Sequence, residues 1–144
     1  MSLVVEAARR WLGTPYLHQA SHRTAGTDCL GLVRGVWREL FGKEPVPVPP
    51  YTPDWAEPQQ DEILERTAHA VMLAVEPDRE LRSGEVLLFR MRDGAVAKHL
   101  GILAELGDAP SFIHAYSGHG VVESSLSTPW VRRIVGRFDF PPHH

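Results

Sequence analysis

The chain has 144 residues, 43% of them hydrophobic and 23% charged, with a formal net charge of −3. That length suits one domain with its own core, and the charge balance gives no basic surface for nucleic acid or an anionic membrane. A single cysteine permits no internal disulfide, and no apolar stretch approaches the length of a membrane span. Met1-Ser2-Leu3-Val4-Val5-Glu6 lacks the basic region and long apolar run of a signal peptide, so synthesis in the cytoplasm is expected.

Residues Ser2 to Leu12 predict a helix with Leu3, Val4, Ala7, Ala8, Trp11 and Leu12 on one face, Ser2 as its cap and Gly13 as its stop. Gly13-Thr14-Pro15-Tyr16 reads as a turn that ends in an aromatic hydroxyl. Leu17 to Gly26 is polar and irregular, and carries His18, His22 and Arg23 toward the cysteine. From Cys29 onward Leu32, Val33, Val36, Trp37, Leu40 and Phe41 recur at helical spacing; Thr27 and Asp28 are cap types, and Gly42 ends the run. Lys43 to Pro58 holds Pro45, Pro47, Pro49, Pro50, Pro53 and Pro58, which excludes regular helix or a central strand. Its aromatics, Tyr51 and Trp55, predict that it packs on the body of the domain. Asp61 to Ala74 predicts a further amphipathic helix with Ile63, Leu64, Thr67, Ala68, Val71 and Leu73 facing in, closed by Pro77.

The period then changes. Glu85 to Arg90 reads as a strand after Ser83-Gly84, Asp93-Gly94 is a hairpin signal, and Ala97 to Leu106 is the returning strand. Ser111 to Tyr116, His119 to Ser124 and Val131 to Phe138 follow as short strands between Gly, Ser or Pro turns. Helices first and antiparallel strands after predict an α+β class, with the N-terminal helices packed on a central sheet of about five strands.

The chemistry gathers around Gly26-Thr27-Asp28-Cys29-Leu30-Gly31-Leu32-Val33. A thiol in the first turn of a helix meets free N–H groups and the positive end of the helix dipole, which ease loss of its proton and can hold an oxyanion. A lone cysteine is also a common small buried hydrophobe. A nucleophile needs a base, and the base an orienting partner. His99, in Lys98-His99-Leu100-Gly101-Ile102, and His114, in Ile113-His114-Ala115, lie on consecutive strands that can set them side by side. Gly101 leaves room beside His99. His99 is then the base and His114 its orienter, against the alternatives that each is structural or that Cys29 and both histidines bind zinc. Tyr16 is placed either in ordinary packing or opposite Cys29 as a donor to an oxyanion or substrate. Asp28 is a helix cap that is also well placed for a substrate amine. His18 and His22 are loop residues, His69 is mid-helix and His119 lies in a turn, while Trp11 and Trp37 suit the core. Arg34 and Arg38 form a basic edge.

Leu12-Gly13-Thr14-Pro15-Tyr16, Asp28-Cys29-Leu30-Gly31-Leu32-Val33, Lys98-His99-Leu100-Gly101-Ile102 and Ile113-His114-Ala115 together resemble the NlpC-type peptidases, papain-like cysteine enzymes that cleave bacterial cell-wall peptides. The resemblance covers nearly the whole chain. It implies a papain-like NlpC fold, Cys29 as nucleophile, His99 as base, His114 as third member and Tyr16 as an oxyanion or substrate contact. It also implies Asp28 as a contact for the free amine of L-alanine, next to a γ-D-glutamyl–diaminopimelate (or lysine) bond. Leu30 stands where the family usually has serine, and Glu85 where aspartate is usual. Glu39 to Pro45, Tyr51 to Trp55, Ser83 to Phe89 and Val121-Val122-Glu123 resemble the subgroup from phages and gene transfer agents, which is associated with tail assembly.

The expectation is one peptidase domain over residues 1–144, with residues 43–58 as a Pro-rich insertion, a lid or a docking surface, and residues 141–144 as a tail. His143-His144 resembles a purification-tag remnant. The expected substrate is the peptidoglycan stem peptide, with no metal or cofactor, no nucleic acid and no membrane insertion. Phage-type tail proteins are the expected partners, and a phage-like particle acting on the cell wall the expected location. An amidase or acyltransferase with the same triad, and a catalytically silent tail component, are the alternatives.

Overall fold

A computed structural model describes residues 2–48, 51 and 62–142. It is an α+β fold in which helices cover one face of an antiparallel sheet. The first helix, α1 (Leu3–Arg9), is capped by the Ser2 hydroxyl, which accepts from the Val5 N–H at 3.2 Å. It is shorter than the spacing predicts. Arg10, Trp11 and Leu12 tighten into turns whose N–H groups reach back three residues, so Trp11 turns into the core while Leu3 and Leu12 stay exposed. The stretch expected to be irregular contains a small hairpin, β1 (Ser21–His22) and β2 (Gly26–Thr27).

The cysteine helix, α2 (Cys29–Phe41), has the predicted caps: Asp28 at its start and Gly42, at φ 86°, at its end. Leu32, Val33, Val36 and Trp37 are buried, and Leu40 and Phe41 pack at the rim. A Cβ on Gly35 would sit 2.0 Å from the Trp11 ring, which is how closely α1 and α2 approach. The next helix, α3 (Ile63–Val71), ends before the Leu73 expected to face inward. Leu73 and Ala74 form β3 instead and are exposed, because the last strand offers them an edge to pair with. Of the Pro-rich segment, Tyr51 packs against the core, while Trp55 lies outside the described residues.

The sheet is built from β3, β4 (Val86–Arg90), β5 (Ala97–Leu103), β6 (Ser111–Tyr116), β7 (Gly120–Ser125) and β8 (Ile134–Asp139), in the order β3-β8-β4-β5-β6-β7. It therefore has six strands rather than about five, and β3 is the addition. The expected strand from Val131 begins later, because Pro129 sits in the first turn of a short helix, α4 (Thr128–Val131). Two core layers result. One lies between sheet and helices; the other, Leu87, Phe89, Leu103, Phe112 and Leu126, is covered by Met91, Trp130 and Ile134.

Two irregularities prepare the site. Phe89 pairs with His99 and Arg90 with Ala97, so Lys98 is an extra residue, a β-bulge. And β5 pairs with β6 only at Ile102–Ile113 and Leu103–Phe112. Toward Lys98 and Tyr116 the two strands part. Gly101 does not leave an open space there: the Phe112 ring fills it, 2.7 Å from where a Cβ would stand.

Glu85, just before β4, is buried and structural. It accepts from Arg137 Nε at 2.7 Å, Arg79 Nη2 at 3.0 Å and the Arg82 N–H at 2.8 Å. Burial alone would raise its pKa, but these donors prevail and hold it below the ordinary range.

Candidate active site

Cys29 is the first residue of α2 and 7% exposed. Its thiol donates to the Lys98 carbonyl at 3.9 Å, so the bulge aims a backbone oxygen at the sulfur. The N–H groups of Leu100, Leu30 and Cys29 itself also act on the sulfur and favour its anion. Burial outweighs them, and the Asp28 charge adds to it, so the thiol is pushed up to about 12. The helix start was expected to make the proton easier to lose. In the folded protein it does not, because the same turn is dry and begins with a carboxylate.

His99 and His114 meet where β5 and β6 part. His99 Nε2 lies 2.7 Å from His114 Nδ1, and His114 Nε2 lies 2.9 Å from the Ser124 hydroxyl. Burial, and then the neighbouring His114, pushes His99 down to about 3; burial, and then His119, pushes His114 down to about 4. Both rings are therefore neutral near pH 7. With Nε2 committed to His114, Nδ1 is the His99 nitrogen left to serve a thiol. That role requires the His99 proton on Nε2, donated to His114 Nδ1. His114 then carries its own proton on Nε2 and donates it to Ser124 Oγ. The Trp130 ring, 5.8 Å from His99 and 5.3 Å from His114, completes the dry wall with Phe89 and Phe112.

Cys29 and His99 line one cleft of about 170 Å³ together with Tyr16, His18, Asp28, Met91, Lys98 and Tyr116. Tyr16 is half-buried, and a single bridge to Thr27 holds its backbone. Burial first, and then the nearby thiol and Asp28, push its phenol up to about 12, so it remains a donor. Asp28 caps α2 through the Gly31 N–H at 2.7 Å. Tyr51 reaches the same carboxylate with its hydroxyl. Of the weaker histidines, His18 lines the cleft, His119 stacks on Tyr116 with ring centroids 5.3 Å apart, and His22 and His69 are exposed. Arg34 and Arg38 pair with Glu44. Among the described residues, no group of three or more His, Cys, Asp or Glu side chains could hold a metal ion.

The structure thus brings together the five residues singled out in the sequence: Tyr16, Asp28, Cys29, His99 and His114. It adds Ser124, Tyr51 and Trp130. Tyr51 was expected only to pack on the body of the domain, and no periodicity or motif gives any of the three a place in the site; a serine on a strand, a tyrosine among prolines and a tryptophan after Pro129 take that role only from what the fold sets beside them.

A family model described as NlpC/P60 matches residues 13–138. The chain is 30% identical over 133 residues to the murein DD-endopeptidase MepS/murein LD-carboxypeptidase of Escherichia coli K12, covering 92% of this chain and 58% of that protein. It is 31% identical over 139 residues to the γ-DL-glutamyl hydrolase of Bacillus subtilis 168, covering 94% of this chain and 29% of that protein. The chain therefore spans little more than half of one relative and under a third of the other. The NlpC/p60 domain of the peptidoglycan hydrolase SagA superposes with a TM-score of 0.63 at 21% identity, over 96% of this chain and 97% of that one. A family protein from Bacillus cereus does so with a TM-score of 0.65 at 19% identity, over 99% and 41%; at these identities the likeness concerns the fold. With the family model spanning residues 13–138, most of its length, this chain belongs to the NlpC/P60 family.

Proposed function

We propose that the chain is a cysteine endopeptidase that hydrolyses amide bonds in peptidoglycan stem peptides. The observation that carries this reading is the line of side chains leading into the cleft: Ser124, His114 and His99 are hydrogen-bonded in series, and His99 and Cys29 line the same cleft. The relatives support the substrate class, one being named for murein and the other for γ-DL-glutamyl bonds. The γ-D-glutamyl–diaminopimelate bond is the preferred target.

The neutral resting pair sets the order of events. The Cys29 proton passes to His99 Nδ1 as the sulfur attacks the carbonyl carbon, and the carbonyl electron pair moves onto oxygen. The N–H at the helix start and the Tyr16 hydroxyl donate to that oxyanion. His99, now cationic, keeps its Nε2–H on His114. When the C–N bond breaks, the leaving amine takes the proton from His99 Nδ1 and a thioester remains on Cys29. Water then attacks the thioester carbonyl and gives its proton to His99. The C–S bond breaks, and the departing sulfur recovers that proton. Leu30, where the family usually has serine, faces the apolar groove between α2 and α3, so that contact to the substrate is made by other groups or not at all.

The resemblance of Glu39 to Pro45, Ser83 to Phe89 and Val121 to Glu123 to tail-associated members supports carriage on a phage-like particle, with tail proteins as partners and the cell wall as the site of action. The Pro-rich segment is either a lid or the docking surface there. Digestion of purified muropeptides by wild type and Cys29→Ala, read by mass spectrometry, tests the activity. The expected result is release of an L-alanine–D-glutamate fragment by wild type alone. Cysteine-dependent turnover of another acyl substrate in place of muropeptides indicates an amidase or acyltransferase. Absence of any turnover leaves a silent tail component.

A further inference from the structure

The carboxylate beside the nucleophile is already engaged. Asp28 Oδ1 accepts from the Gly31 N–H at 2.7 Å; Oδ2 accepts from the Gln19 N–H at 2.8 Å and from the Tyr51 hydroxyl. The Asp28 side chain is 4% exposed. Tyr51 is itself held from behind. Its carbonyl accepts from Gln19 Nε2 at 2.9 Å and lies 2.9 Å from His18 Nε2, and the His18 ring meets its ring edge-on at 5.1 Å. Burial first, and then the Asp28 bond, keep the phenol well above its usual range, so it stays a donor. A carboxylate next to the reacting sulfur is otherwise the group best placed to receive a substrate ammonium. To bind there, an ammonium would shed its water and displace a hydroxyl that the fold holds in place. An ammonium buried without an open carboxylate is penalised far more than an amide N–H in the same position.

We propose that Tyr51 is a specificity-determining residue: its hydroxyl closes the Asp28 carboxylate, so the cleft does not select a free amino end and takes stem peptides whose amino end is amide-linked, as in glycan-attached peptidoglycan. The inference rests on the peptidase reading above. It runs against the free-amine role that resemblance implies for Asp28, and the reason is local: both oxygens of that carboxylate already have donors.

The test uses L-Ala-γ-D-Glu-meso-diaminopimelate with a free amine and the same peptide N-acetylated. Wild type is expected to cleave the N-acetylated peptide with the higher kcat/KM, and Tyr51→Ala to raise the ratio of free to capped peptide about tenfold, since opening the carboxylate restores a charge partner. Tyr51→Phe, which keeps the ring and removes the donor, shifts the ratio the same way and stands in if the alanine variant does not fold. Each ratio is taken within one protein, so loss of folded enzyme cancels. A tenfold free-amine preference in wild type, or a ratio unmoved in the variants, overturns the assignment of Tyr51 and leaves the peptidase reading intact. Cleavage of neither peptide by wild type removes the peptidase reading, and this inference with it.

Discussion

At the scale of single residues, the neutral state of the pair decides the pH behaviour of the proposed reaction. A thiol pushed up to about 12 and an imidazole pushed down to about 3 keep the reactive form, SH beside neutral ring, over a wide range. The expected kcat/KM is therefore flat from roughly pH 5 to pH 9. A limb near an ordinary histidine value, about 6.5, would show instead that Cys29 and His99 share an ion pair at rest. Ser124 acts through His114. Replacing it with alanine removes one hydrogen bond worth about 1 kcal/mol and lowers kcat about fivefold, and Ser124→Thr restores it. A merely structural serine would move the thermal midpoint and leave kcat unchanged. Cys29, His99 and His114 were legible in the sequence because each sits in a patterned element: a capped helix in one case, apolar strands in the others. Ser124 and Tyr51 were not, since a hydroxyl on a strand or in a proline tract has the same local signature whatever it touches.

At the scale of elements, the start of α2 is fixed by close contact as well as by its cap. A Cβ on Gly31 would lie 1.9 Å from the Ala20 carbonyl oxygen and 2.5 Å from Thr27 Oγ1. Backbone cannot yield cheaply, so Gly31→Ala is expected to destabilise by about 1–3 kcal/mol in urea unfolding and to shift Cys29 with the helix. Asp28→Ala loses the cap and is expected to cost about 0.5–2 kcal/mol, while Asp28→Asn largely preserves it. The asparagine variant also removes the charge that adds to burial in holding the thiol up, so Cys29 should alkylate faster with iodoacetamide at neutral pH; an unchanged rate would mean that burial alone raises the thiol. The helix cores and the strand order of the second half follow from periodicity. The ends do not. Whether residues 72–74 continue a helix or add a strand depends on the free edge of β8, and whether residues 128–131 curl depends on Pro129. Neither is visible to a window of sequence.

At the scale of the whole molecule, two buried groups of opposite kind set the response to acid. His99 and His114 have folded values below the ordinary 6.5, so below that pH the unfolded chain binds more protons. Stability present above pH 6.5 is thus lost as pH falls toward about 4, by up to ~1.4 kcal/mol per pH unit for each imidazole. Glu85 is held below the ordinary 4.5, so its contribution is lost only as pH falls below that value. The thermal midpoint is expected to fall in two successive stages, with His114→Gln flattening the upper one and Glu85→Gln the lower. A midpoint constant between neutral pH and about pH 4.5 would contradict the neutral imidazoles.

Because the backbone ladder between β5 and β6 stops at Ile102–Ile113, the imidazole pair takes over as the fastener of the sheet at its catalytic end. Its 2.7 Å span sets the gauge of the crevice. One proton added to the pair tightens the clasp, since a cationic ring donates more strongly to a neutral one, and that is the state through which each turnover of the proposed reaction would pass. A second proton leaves two donors face to face and springs it open. Strong acid would thus disable the proposed peptidase by widening its jaws, and neutralisation would let them close again.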